Sequence, residues 1–232
     1  MSRRAAATAV AVIVAVAVAV IAGACTASEQ PADPSAGGRS PSPASSFVIA
    51  SPVLSPRPYT TEDLERIVLG RAAAPKGTVF ASPYSVEQPI EEFASDDEEL
   101  TALRVDGFVT GHLTLFVPEG QLDHDAPPVE PGEVFVQGIA GLFETGAGAD
   151  SSLRRYIVNL RAFQLHGEVR IPADGLGDAS DGLRGKAGGE PVTVYAWRTA
   201  NLLLVVSGSG RIAPEEVLAL ADLIDRRAEL AR

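Results

Sequence analysis

The chain has few of the side chains from which catalytic and redox sites are usually assembled. Its single cysteine, Cys25, has no second thiol with which to form an intramolecular disulfide. Three histidines are present, His112, His124 and His166, and none has another histidine or a cysteine at metal-ligand spacing. There is no G-x-S-x-G elbow, no HExxH helix and no P-loop, so the enzyme classes that depend on those patterns find no support. Positive charge is also short: 19 Lys and Arg face 30 Asp and Glu, a net charge of −11. Nucleic acid needs a basic footprint and is therefore excluded as a partner, and anionic headgroups repel such a domain.

What is present begins at Ser2. Arg3 and Arg4 precede Ala5 to Ala24, a run without charge whose one clearly polar side chain is Thr8. As a helix it approaches a bilayer core, roughly 30 Å for about 20 residues, so length alone leaves a retained membrane anchor open. The far end favours cleavage. Ile21-Ala22-Gly23-Ala24-Cys25 puts small residues next to the thiol, leaving room for a peptidase on an extended backbone. These residues resemble the lipobox of bacterial lipoproteins, with Ala22 where that family more often has Leu, Val or Ile. The resemblance implies cleavage before Cys25, a diacylglycerol on its thiol and an acyl chain (palmitate) on its new amine. Such a set of chains exceeds the two membrane signals that stable anchoring requires. Ser2-Arg3-Arg4 is also similar to the core of a twin-arginine signal, and the export route stays open.

Residues 1–24 thus read as a signal peptide. Residues 25–58 read as the lipidated cysteine followed by a tether, because Ala, Ser, Pro and Gly cannot bury enough apolar surface to offset backbone entropy. Within it, Phe47-Val48-Ile49 is a candidate edge strand, limited by Pro52, Pro56 and Pro58. Residues 59–232 suffice for one domain with a core.

Thr60 to Leu64 reads as a helix start with Thr60 as N-cap and Asp63 completing a capping box; Leu64, Ile67 and Val68 share the buried face, and Gly70 ends the helix. The acidic run Glu91, Glu92, Asp96, Asp97, Glu98 and Glu99 lacks the ligand alternation and turn glycine of a calcium loop. It reads as a solvated face and the first turn of a helix reaching Arg104. Gly107 to Val117 alternates as an inner strand, with Phe108, Thr110, His112, Thr114 and Phe116 on one side. Asp123-His124-Asp125 reads as an exposed turn. A second strand spans Val134 to Ile139. Gly146 to Asp150 then precedes a helix capped at Asp150 or Ser151, with Leu153, Tyr156, Ile157, Leu160 and Phe163 inward, Arg154, Arg155, Asn159 and Arg161 outward, and Gly167 beyond its end.

After a short strand at Glu168 to Pro172, Ala173 to Pro191 reads as a mobile Gly/Asp-rich loop whose Asp174, Asp178 and Asp181 match no calcium motif. Val192 to Arg198 and Asn201 to Ser207 form a hairpin, with Asn201 expected to take the left-handed turn position. Pro214, Glu215 and Glu216 open a terminal helix whose buried face is Val217, Leu220, Ala221, Ile224 and Ala228.

The Trp197-Arg198-Thr199-Ala200-Asn201 turn between strands, the helix reaching Asp225-Arg226-Arg227, and Ala74-Pro75-Lys76-Gly77-Thr78 resemble uncharacterised extracytoplasmic domains of actinobacterial and other bacterial lipoproteins, which more often have Gly where Ala200 stands. That resemblance implies no activity. The fold class expected is α+β, a single mainly antiparallel sheet covered by two main helices. The function expected is that of a membrane-anchored, extracytoplasmic, non-catalytic domain binding a protein or small molecule. No catalytic residue, cofactor or metal ligand is assigned; the one site residue is Cys25, for lipidation. Two alternatives name side chains: a carrier of an apolar ligand, with Phe108, Phe116, Tyr156 and Trp197 lining one cavity, and a hydrolase in which His112, His166 and the Asp178 loop converge.

Overall fold

In the computed structural model, residues 57–122 and 130–232 are described. The signal segment, Cys25, the tether with Phe47-Val48-Ile49, and Asp123-His124-Asp125 lie outside the described residues, as do the side chains of Phe163 and Gln164. The helices are α1 (Thr61–Ile67), α2 (Ile90–Phe93), α3 (Asp97–Val105), α4 (Gly146–Asn159, continued by a π-turn Leu160–Gln164) and α5 (Pro214–Ala231). The strands are β1 (Thr78–Phe80), β2 (Glu87–Gln88), β3 (Phe108–Pro118), β4 (Phe135–Phe143), β5 (His166–Ile171), β6 (Ala179–Ala187), β7 (Glu190–Thr199) and β8 (Leu202–Ser209).

All eight strands pair antiparallel in the order β1-β3-β4-β8-β7-β6-β5, with β2 also on β3. This is the α+β, antiparallel class expected, with helices on both faces. On one face Phe116, Val136, Ala140, Leu204, Tyr195 and Trp197 pack with Leu64 and Ile67 of α1 and Val217, Ala221 and Ile224 of α5. On the other, Leu203, Val205, Val194 and Leu183 pack with Ala149 and Leu153 of α4 and Leu103 of α3. Apolar side chains on both sides of β8 are what place it centrally: Leu202, Leu204 and Val206 serve one layer, Leu203 and Val205 the other.

Several expectations change on folding. The alternation in β3 holds only from Thr110 onward, because a register shift between Phe108 and Thr110 inserts one residue and flips Phe108 to the α4 face, against Phe93 and Phe143. The segment Ala173 to Pro191 is not one loop: β6 occupies Ala179–Ala187 and β7 begins at Glu190. Its glycines hid the strand, since at Gly182 a Cβ would stand 2.7 Å from the Ile171 carbonyl oxygen and 3.1 Å from the Tyr195 ring. Helix α1 stops at Ile67, and Gly70 instead precedes a 3-10 turn, Arg71–Ala73.

Helix α4 begins earlier than Asp150. Thr145 is its N-cap, its hydroxyl accepting from the Gly148 amide at 3.1 Å. The glycines fill its first turn because Gly148 abuts the Asp106 carbonyl. Arg155 turns inward between Glu99 (3.1 Å) and Asp106 (2.8 Å). Burial opposes its charge, but those two carboxylates outweigh it and raise the guanidinium pKa. Gly167, at φ +63°, lies in an irregular stretch of β5 rather than at a helix end.

Candidate functional site

The densest polar constellation is built on the β7–β8 turn, Trp197 to Asn201, at the end of the sheet where the described chain begins. The turn needs one residue at positive φ, and it is Ala200 (φ +51°), not Asn201 as expected. Asn201 is thereby freed to point into the protein. Its buried amide accepts from the Tyr59 amide at 2.8 Å, donates to the Tyr59 carbonyl at 3.3 Å and donates to the Phe143 carbonyl at 2.7 Å. One side chain thus takes both backbone groups of Tyr59, as a neighbouring strand would.

Around that clamp, each neighbour adds a bond. The Tyr59 hydroxyl donates to the Ala228 carbonyl of α5 at 2.9 Å, and the Arg232 guanidinium lies 5.2 Å from the Tyr59 ring centroid. Burial pushes the Tyr59 phenol up, with Arg232 opposing. Arg57 donates to the Ala231 carbonyl (2.7 Å) and to both oxygens of Asp63 (2.6 and 3.0 Å). Asp63, whose side chain is only 1% exposed, also accepts from the Thr60 amide and hydroxyl at 3.0 Å each and from Arg66 at 2.7 Å. The hydrogen bonds from Arg57 and Thr60 overcome the cost of burial and hold the carboxyl well below the usual carboxylate range.

On the inner side of the turn, the buried Asp225 of α5 accepts from Trp197 Nε1 at 2.9 Å and from the Thr199 hydroxyl at 3.2 Å. On the outer side, Asp178 accepts from Arg198 at 2.9 Å and from the Ala200 amide at 2.8 Å. Five consecutive residues therefore bind α5, the chain before α1, the end of β4 and the loop before β6. The chemistry is that of a fastening: the side chains of the turn bond to other parts of the same chain, with Arg198 Nε buried without a hydrogen bond, 3.8 Å from Asp150.

The sequence-derived candidates do not meet. His112 lies on β3, opposite Ala140, while His166 opens β5, separated from β3 by β4, β8, β7 and β6. At roughly 4.8 Å per strand step that is on the order of 25 Å. Asp178 is engaged at the β7–β8 turn. His112 Nδ1 is buried without a hydrogen bond, and burial lowers the imidazole pKa against the opposing pull of Glu87 and Glu65. The four aromatics divide by face, Phe116 and Trp197 with α1 and α5, Phe108 and Tyr156 with α4, so no single cavity joins them. Phe116 and Trp197 are fully buried as packing.

Among the described residues no group of three or more His, Cys, Asp or Glu could hold a metal ion. Of the acidic run, Asp96 caps α3 by accepting from the Glu99 amide, Glu99 pairs Arg155, and Glu91, Glu92, Asp97 and Glu98 are exposed. An open recess of about 500 Å³ lies at the opposite end of the sheet, between β1 and Leu122, with Arg71 5.8 Å from the Phe80 ring centroid. The sequence signals that identify the fastening are Thr60-x-x-Asp63 and the Trp197–Asn201 turn; the reach of Asn201 to Tyr59, 142 residues away, has no local signal.

No protein-family model matches the chain, and no curated protein does. Among solved structures it is similar to the extracellular domain of PknH from Mycobacterium tuberculosis, at 12% identity and a TM-score of 0.47, over 75% of this chain and 98% of that one. Among the described residues no helix is long and apolar enough to cross a membrane.

Proposed function

We propose that the chain is an extracytoplasmic domain held at the outer face of the cytoplasmic membrane by lipid on Cys25, and that it acts by binding a protein or small molecule rather than by catalysis. The observation that carries this reading is the order Arg3-Arg4, apolar run, Ile21-Ala22-Gly23-Ala24-Cys25, followed by a Pro/Ser-rich tract. The fastening at Tyr59 supports it. A tether transmits any pull on the domain to the residues that follow it, and here Arg57 and Tyr59 are bound to α1, α5 and the β7–β8 turn. The separation of His112, His166 and Asp178 takes support from the hydrolase alternative, and the division of the aromatics takes it from the carrier.

The test is palmitate labelling and fractionation of bacteria expressing the full chain or its Cys25→Ala variant. The expected result is label and membrane retention in the parent, both lost in the variant, and digestion of the domain when protease is added to intact spheroplasts. A parent without label, or a domain protected from protease, would overturn the reading.

A further inference from the structure

Strand β5 ends the sheet, and its free edge is self-complementary. Among the described residues no backbone hydrogen bond joins Glu168, Val169 or Arg170 to anything but β6. Val169 is 62% exposed on one face of the strand. Glu168 and Arg170 project from the other, Glu168 3.7 Å from Arg161 and Arg170 hydrogen-bonded across to Asp181 of β6. An unpaired strand edge is a template for another strand.

We propose that β5 is a self-association edge on which two copies of this chain pair antiparallel about a two-fold axis through Val169. In that register Val169 meets the partner's Val169, and Glu168 of each copy stands opposite the partner's Arg170, giving two cross-strand ion pairs and one apolar contact. The charges select the register. Sliding by two residues either way places Glu168 against the partner's Glu168 or Arg170 against the partner's Arg170, which is unfavourable. On the Val169 face the neighbouring Arg184, opposite Val169 on β6, lays its stem beside the new contact. The two sheets then run on as one, with like faces on the same side. The irregularity at Gly167 keeps the paired stretch short, well below the roughly 1,200 Å² of a standard stable interface, so the association is weak and concentration-dependent. It does not depend on where the chain is anchored.

The full chain, purified in detergent, is tested by mild oxidation of single-cysteine substitutions, with the unsubstituted chain as the baseline for any contribution of Cys25. Val169→Cys should form a disulfide-linked dimer above that baseline, whereas Val158→Cys, 61% exposed on α4, should not. In the Val169→Cys background, Glu168→Arg or Arg170→Glu alone should abolish the dimer, and the two together should restore it. Equal trapping at 169 and 158, or failure of the double reversal to restore trapping, would overturn the proposal.

Discussion

A buried carboxylate costs several kcal/mol unless its oxygens are satisfied, and Asp63 meets that condition through Arg57, Arg66 and the Thr60 amide and hydroxyl. Because its pKa is depressed in the fold, its contribution is fully present above the unfolded value of about 4 and is lost as pH falls through the lower folded value. Asp63→Asn should therefore lower stability at pH 7 by about 2–3 kcal/mol and flatten the loss of stability below about pH 4, as read by urea unfolding across pH. An unchanged acid limb would show that Asp63 does not govern it. Ala200 poses a different problem at the same scale. It holds φ +51° without a glycine's freedom, so Ala200→Gly should stabilise by roughly 0.5–1 kcal/mol, seen as a rise in Tm.

At the scale of elements, the helix starting at Gly146 shows where local preference and packing disagree. In an isolated helix Gly→Ala gains about 1 kcal/mol. At Gly148, however, a Cβ would collide with the Asp106 carbonyl oxygen, so Gly148→Ala should instead destabilise by about 2 kcal/mol, measured by chemical unfolding. Legibility in the sequence follows the same division. Elements whose own residues carry the signal are readable: the Thr60 cap with Asp63, the Asp97 turn of α3, the apolar run of β8, and α5 with Pro214, Glu215 and Glu216. Elements whose form depends on a distant partner are not. Gly182 belongs in a strand because the Tyr195 ring and the Ile171 backbone leave no room for a side chain, and read locally a glycine there signals a loop. The one-residue shift after Phe108 is likewise decided by β4, and it splits the aromatics that alternation assigns to one side. Asn201 looked like a turn residue because Asn tolerates left-handed backbone; its amide is used at Tyr59 instead, and Ala200 takes the turn.

For the whole molecule, the sheet separates two ends that differ in the side chains they carry. One end carries Tyr59, Asn201 and the terminal turn of α5, where the chain from Cys25 joins the domain. The other carries β1 and the open recess beside Arg71. On the proposed attachment at Cys25, the first end is the held one and the second faces outward, toward the proposed partner. On the same proposal, the net charge of −11, made more negative by the loss of Arg3 and Arg4, repels the domain from an anionic surface. The central claim is that Cys25 is the attachment point, and the intact mass of the mature protein from a bacterial host tests it most directly. The account predicts a species beginning at Cys25 with added acyl mass, absent from the Cys25→Ala variant. A full-length, unacylated chain retaining Ala5 to Ala24 in the membrane would contradict it.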